Sequence, residues 1–376
     1  MDAWAHCSYV SASDSGSAFL MATNSSKSAV SGAFKWVALN FLLACSILWM
    51  GWLYVDSILF QPLKIAKGSY SLDVMPGTNF GSLARKFERD GLFPHPRLLT
   101  LYGRYFGYAR SLKVGEYNVS SGSSMNDLLE MLKKGSVVYH QVTLLEGQTF
   151  NDFRLQLSDT ANLKHLIKTL SNEEIMELLG AEGVHPEGQF YPDTYYFQKN
   201  DSDFDVLQRA YKRLHKVLNK EWAKRAKKLP YKTPYDALIM ASIIEKETGQ
   251  PRERAEIAAV FVSRLKKRMR LQTDPTVIYG LGKRYHGNIT RKHLREKTPY
   301  NTYRINGLPP TPISSAGQAA IHAALHPAKS EALYFVAKGD GSHQFSKNLI
   351  QHEKAVRQYQ WKRKSNYRSA PKARKK

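Results

Sequence analysis

The run TPYDALIMASIIEKETG, residues 233–249, decides how the rest of the chain is read. Thr233 suits an N-cap, Pro234 the first helical position, Asp236 the positive end of a helix and Gly249 the residue just past its C-terminus, so the four bracket one helix. The interior, Ala237 to Ala241 and then Ile243-Ile244, is apolar on nearly every side, as in a helix enclosed within a domain. It nevertheless ends in Glu245. That residue follows Leu238, Ala241 and Ser242 by seven, four and three positions and continues a buried face. Burial and the partial negative charge of a helix C-terminus both disfavour the ionised carboxylate, which gives Glu245 the profile of a general acid. The competing reading has it simply paired with a Lys or Arg at a helix end.

The chain has 376 residues, enough for two or three domains. With 43% hydrophobic and 11% aromatic residues it is globular, and its formal charge of +23 calls for an anionic partner: nucleic acid, phospholipid headgroups or cell-envelope polymer. Charge alone does not choose among them. Only two cysteines occur, and Cys45 lies inside an apolar run, so no disulfide framework is available. From Trp36 to Val55 there are 20 uncharged residues, long enough for a bilayer core of about 30 Å at about 1.5 Å per residue. This reads as one transmembrane helix. Lys27 and Lys35 precede it and Asp56 follows, which puts the N-terminus in the cytoplasm and the large C-terminal part outside. SILWMGWLYV lacks the small-residue site of a cleavable signal peptide.

The expected organisation is α+β in five parts. Residues 1–31 are a Ser/Ala/Gly-rich disordered lead, in which Met21 competes with Met1 as the start; 32–56 are the membrane helix; 66–160 form a small α+β module; 161–360 form a mixed α+β domain; and 361–376 are a basic tail. Within the module, Ser69–Val74 and Val137–Leu145 read as strands, each followed by a glycine turn and an amphipathic helix, and 123–135 reads as a capped helix. The segment HPEGQFYPDTYYF (185–197) reads as an ordered loop rather than a helix or strand. Its aromatic rings with Glu187, Tyr191 and Asp193 suit either a sugar platform or a packed corner. Asp203–Trp222 carries a helical stripe, TPYNTYRINGLPPTPISS (298–315) is irregular, and 332–346 turns as a hairpin around Gly339-Asp340-Gly341.

No metal signature is visible, since the twelve histidines are scattered and HExxH is absent, and neither a dinucleotide loop nor GxSxG occurs. A protonated carboxyl beside Tyr/Asn-rich loops fits attack on a glycosidic bond. ASIIEKETG, RLQTDPTVIYG, TPYNTY, NGLPPTPIS, HPAKSEALYFVA and EGQFYPDTY, behind one membrane helix, closely resemble the endolytic murein transglycosylase family. The resemblance implies that Glu245, first Glu of the EKET motif, is catalytic, that the early module is LysM-like and binds glycan, and that no cofactor is needed. It also implies a substrate of nascent peptidoglycan strands, cut between N-acetylmuramic acid and N-acetylglucosamine to leave 1,6-anhydro ends, with peptidoglycan synthases as partners at the inner membrane. Gln272, Asp274, Tyr300 and Asn301 fall in its motifs and would position substrate or orient Glu245; Asp274 could instead be a cap. Glu247 points away from Glu245 and reads as a hydrogen-bonded neighbour. The alternatives are a membrane-tethered glycan-binding protein without activity and a hydrolase pairing Glu245 with Asp274 or Asp193. A nucleic-acid role rests on charge alone and conflicts with the outward topology.

Overall fold

The computed structural model describes residues 22–65 and 68–361, with side chains from residue 34 onward, in two compact units, Met1–Val137 and Val138–Lys376. Of the expected disordered lead over residues 1–31, residues 22–31 are helical instead, while residues 1–21, with the question of Met1 or Met21, and the basic tail past residue 361 lie outside the described residues. Every sheet among the described residues is a two-stranded antiparallel pair.

The first unit opens with α1 (Ala22–Phe60), whose segment Phe34–Phe60 is long and apolar enough to cross a membrane. It begins earlier and ends later than the expected 32–56. From Phe34 to Tyr54 its large apolar side chains are exposed, but Leu59 is fully buried in the core of the unit that follows. That core lies under β1 (Ser69–Val74), α2 (Phe80–Arg89), α3 (Pro96–Tyr105), β2 (Gly115–Ser120) and α4 (Met125–Lys134). The strands pair Leu72 with Tyr117 and Tyr70 with Val119, so strand alternation turns Leu72, Val74, Tyr117 and Val119 onto the helices. Asn79 caps α2, and a Ser124/Asp127 capping box starts α4. Gly135, at φ +74°, closes α4 in the left-handed conformation that a glycine adopts without penalty.

The second unit begins with β3 (His140–Thr143), which pairs with β4 (Thr194–Phe197). The expected module boundary at residue 160 therefore moves back to 137, because β3 finds its partner more than fifty residues downstream, in a segment read from sequence as loop. Aromatic crowding hid the Thr-Tyr-Tyr-Phe alternation in which Tyr195 and Phe197 face the core. Between the strands lie α5 (Phe150–Ser158) and α6 (Asn172–Leu178); after them come α7 (Asp203–Ala223), α8 (Pro234–Glu247), α9 (Arg254–Lys266), α10 (Asp274–Leu281) and α11 (Arg291–Arg295). An irregular stretch then leads to α12 (Gln318–Leu325), the hairpin β5 (Tyr334–Ala337) and β6 (His343–Ser346), and α13 (Leu349–Tyr359).

The helix α8 is the axis of this unit. A Thr233/Asp236 capping box starts it with Pro234 in its first turn, and every residue from Ala237 to Ile244 is buried. Such all-round burial needs cover on all sides, which α7, α9, α10 and α12 supply. The C-terminus departs from expectation. Thr248 leaves the helix extended (φ −144°, ψ 133°), so the left-handed glycine exit expected at Gly249 is not used.

Candidate active site

The last turn of α8 carries Glu245 and Glu247 to different surroundings. Glu245 is almost enclosed, its side chain 5% exposed. Arg254, in the first turn of α9, donates from Nη2 to Glu245 Oε1 at 3.0 Å, and the Gly317 backbone N–H at the start of α12 donates to Oε2 at 3.0 Å. The chain around Gly317 is stitched to α8 by Ser242. Its Oγ accepts from the Ile313 N–H at 3.0 Å, and its carbonyl accepts from Ser314 Oγ at 3.2 Å. A second turn closes over the same carboxyl: the Gly147 N–H donates to the Ser315 carbonyl, the Ser315 N–H donates to the Gln148 carbonyl, and Lys246 Nζ reaches the Gly147 carbonyl at 3.2 Å. Glycine at 317 leaves room for the Glu146 side chain in this arrangement: a β-carbon there would lie 1.8 Å from Glu146 Oε1 and would turn that carboxyl aside.

Glu146 is the solvent-facing side of the site, 49% exposed, with an oxygen 3.8 Å from Arg254 Nη2. Burial pushes the Glu245 carboxyl above the ordinary range, and the charge of Glu146 adds to that push. Arg254 and the Gly317 N–H oppose it without reversing it. Tyr191 belongs to the same neighbourhood: its phenol feels the charge of Glu146, while its ring, buried, lies under Arg213 at 5.2 Å.

Glu187 forms a separate buried centre. It accepts from the Phe150 N–H and the Tyr279 hydroxyl, both at 3.1 Å, and burial lifts its pKa to about 7. Tyr300 joins it indirectly, edge-on to Tyr279 at 4.9 Å and hydrogen-bonded to Thr311 Oγ1 at 2.9 Å. The 146–150 turn thus meets Glu245 at one end and Glu187 at the other.

Glu247 faces the 272–274 segment, two residues and about 200° around the helix from Glu245. It accepts a hydrogen bond from the Thr273 hydroxyl, and burial, with Asp274 adding, raises it to about 7. On either side of the buried Thr273, Gln272 and Asp274 are exposed. Gln272 holds φ +52°, a left-handed conformation uncommon for a non-glycine, and Asp274 accepts from the Tyr303 hydroxyl at 2.7 Å. Asn301 is 1% exposed and fully engaged: Nδ2 donates to the carbonyls of His293, Leu294 and Glu296, and Oδ1 accepts the Tyr303 N–H. It holds the shape of the 293–303 turn, and no hydrogen bond connects it to Glu245.

Of the residues singled out from sequence, the fold groups Tyr191 with Glu245, Tyr300 with Glu187, and Gln272 and Asp274 with Glu247. Sequence reasoning passed over Glu146, Arg254 and Gly317. Glu146 and Gly317 stand 99 and 72 positions from Glu245, and nothing local in EGQTF or SSAGQ separates a site residue from a turn. The histidines, scattered along the sequence, are not all scattered in space: Glu221, His322 and His326 each bring one ligand atom within 4.8 Å of the others, a donor set that suits zinc. Of the Glu245 contacts described here, none involves those three residues.

A model of the YceG-like family matches residues 72–358, a span that includes every residue of this site. The chain is 32% identical over 325 residues to the endolytic murein transglycosylase of Bacillus subtilis strain 168, across 82% of this chain and 89% of that one. It is 27% identical over 365 residues to the endolytic murein transglycosylase of Streptococcus pneumoniae serotype 2 strain D39, across 86% of this chain and 65% of that one. Among solved structures, a yceG-like protein of Listeria monocytogenes is 30% identical, across 77% of this chain and 99% of that one, with a TM-score of 0.48.

Proposed function

Because the chain belongs to the YceG-like family, we infer that it is an endolytic murein transglycosylase, a lyase that cuts peptidoglycan strands internally, with Glu245 as its acid and then its base. The observation that carries the assignment of Glu245 is the state of its carboxyl: nearly enclosed at the end of a buried helix, raised in pKa by burial, and fixed at both oxygens by Arg254 and Gly317. A general acid needs that combination of a retained proton and fixed aim.

Glu245 protonates the oxygen bridging N-acetylmuramic acid and N-acetylglucosamine as the bond to C1 breaks, and the N-acetylglucosamine leaves with a 4-hydroxyl. The resulting carboxylate then takes the proton from the muramoyl 6-hydroxyl while O6 closes onto C1. The product is a 1,6-anhydro end, and Glu245 recovers its proton without consuming water. An internal nucleophile held close by the ring replaces the second carboxylate that hydrolysing glycosidases require. Arg254 and Gly317 stabilise the carboxylate formed between the two steps, and Tyr191, buried with its ring under Arg213, packs behind the site. Gln272 and Asp274, exposed on the Glu247 side, are candidate substrate contacts. Glu187 and Tyr300 support the 146–150 turn from behind, and Asn301 acts only through the shape of its turn.

A second reading has a specific contact in its favour. Glu146 and Glu245 both approach Arg254 Nη2, so a two-carboxylate muramidase would find its pair here rather than in Asp274 or Asp193. Digestion of purified sacculi by the full chain separates the two by mass, since lytic ends are one water lighter than hydrolytic ends. Anhydro ends from wild type and none from Glu245→Gln are expected, with a loss of about 10²–10⁴-fold in rate. Reducing ends would overturn the lytic mechanism, and unchanged digestion by the variant would overturn the role of Glu245.

The segment Phe34–Phe60 anchors the enzyme in the membrane with its N-terminus in the cytoplasm, supported by Lys27 and Lys35 before its uncharged stretch Trp36–Val55 and Asp56 after it. The strand–helix–helix–strand unit after it binds glycan, and peptidoglycan synthases working on the same strands are its partners.

A further inference from the structure

The first unit holds a groove of about 1,320 Å³ whose wall includes Tyr54 of α1 and, from α2 and α3, Arg85, Arg97 and Arg104. All three guanidinium groups are exposed, and among the described residues none has an ion-pair or hydrogen-bond partner. Glu88 is the one acid on the wall and His95 adds a titratable base. Six arginines elsewhere in the protein, Arg154, Arg209, Arg213, Arg254, Arg264 and Arg284, each bind a carboxylate, an amide or a carbonyl, and others, such as Arg89 and Arg110, are unpaired among the described residues but do not line the groove. Three unpaired forks on one concave wall suit a phosphate or carboxylate.

The level of the groove along α1 selects the anion. The uncharged stretch ends at Val55, and Asp56 cannot sit in hydrocarbon without a heavy penalty, so the apolar layer stops there. Tyr54 on the groove wall is two residues, about 3 Å, inside that limit. Trp52 lies against Phe106, at the C-terminus of α3, with ring centroids 5.8 Å apart. The end of α3 is therefore at the depth where aromatic belts form. This helix exposes Leu101 by 70% and Tyr105 by 80%, with Arg97 and Arg104 beside them, the mixture of an element lying in a membrane interface.

We propose that this groove binds the phosphate of an anionic phospholipid headgroup in the leaflet at the C-terminal end of α1, with Arg85, Arg97 and Arg104 as its ligands. The proposal rests on α1 being a membrane span. In the test, the full chain is reconstituted in phosphatidylcholine bilayers carrying a trace of spin-labelled phosphatidylglycerol or spin-labelled phosphatidylcholine, and the motionally restricted fraction of each is measured. Phosphatidylglycerol should be favoured by about fivefold or more at low salt, as expected for basic side chains at an anionic surface. The triple variant Arg85→Gln/Arg97→Gln/Arg104→Gln should bring the two lipids to parity. A control that removes equal charge outside the groove, Arg89→Gln/Arg110→Gln/Lys133→Gln, should retain the preference. Arg97→Gln alone, with a partial loss, serves if the triple variant melts early.

Equal restriction of the two lipids by wild type overturns the groove, as does loss of preference in the control variant, which would make the effect one of net charge. Abolition by excess inorganic phosphate at constant ionic strength also overturns it, since the groove would then take free anion. A chain that restricts neither lipid is not inserted, which overturns the span itself and is told apart in the same measurement.

Discussion

Two groups pull the proton from Glu245 and two surroundings hold it on. Arg254 and the Gly317 N–H favour the carboxylate; burial and the Glu146 charge favour the acid and prevail. Activity that needs the acid form should fall as pH rises through this raised pKa. Arg254→Gln removes the larger of the two opposing influences, so the alkaline limb of the pH–rate profile should move to higher pH while the rate at its plateau falls; a limb that stays put would show that Arg254 does not tune this proton. Glu247 permits a separate thermodynamic check. Its pKa is raised from 4.5 to about 7 in the folded chain, so its favourable contribution is complete below pH 4.5 and disappears as pH rises toward 7. At about 1.4 kcal/mol per unit, Glu247→Gln should gain about 3 kcal/mol relative to wild type between pH 4 and pH 8, measured by denaturant unfolding.

At the scale of elements, α8 was readable because its caps and apolar run are local, and both lie within seventeen consecutive residues. The helical stripe of α7 and the hairpin of β5 and β6 were readable for the same reason. What was not readable is whatever one segment does for another far along the chain. His140–Thr143 looks like the end of the first unit until Thr194–Phe197 pairs with it, and the carboxyl of Glu146 looks like part of a turn until Gly317 lets it come near Glu245. The Ser242 stitch is of this kind. Fully buried, it holds the 313–317 segment on α8 through the Ile313 N–H, and so sets the position of Gly317. Ser242→Ala leaves that N–H without its partner and should destabilise the chain by about 1–3 kcal/mol. If the stitch positions the site, activity measured well below the melting temperature should also fall, whereas a purely structural role would leave it unchanged.

For the molecule as a whole, family membership is shown by a match over 72–358, and the 27-residue segment Phe34–Phe60, long and apolar enough to cross a membrane, ends where the core of the first unit begins. The charge of +23 suggested several anionic partners and separated none, because it is a sum over the chain and carries no position. Orientation is where that sum becomes testable. A cysteine placed at residue 376 of an otherwise cysteine-free chain should react with a membrane-impermeant maleimide from outside spheroplasts, and reaction only after lysis would reverse the topology.

Leu59 gives the anchor a further meaning. Because Leu59, in the last turn of α1, is buried in the core of the first unit, no slack cord joins that helix to the fold; with α1 across a bilayer, the unit is mounted on its stem like a lamp on a post. Its height over the lipid is then a built-in constant, and a polymer gripped there would be registered from the bilayer surface as if against a ruler.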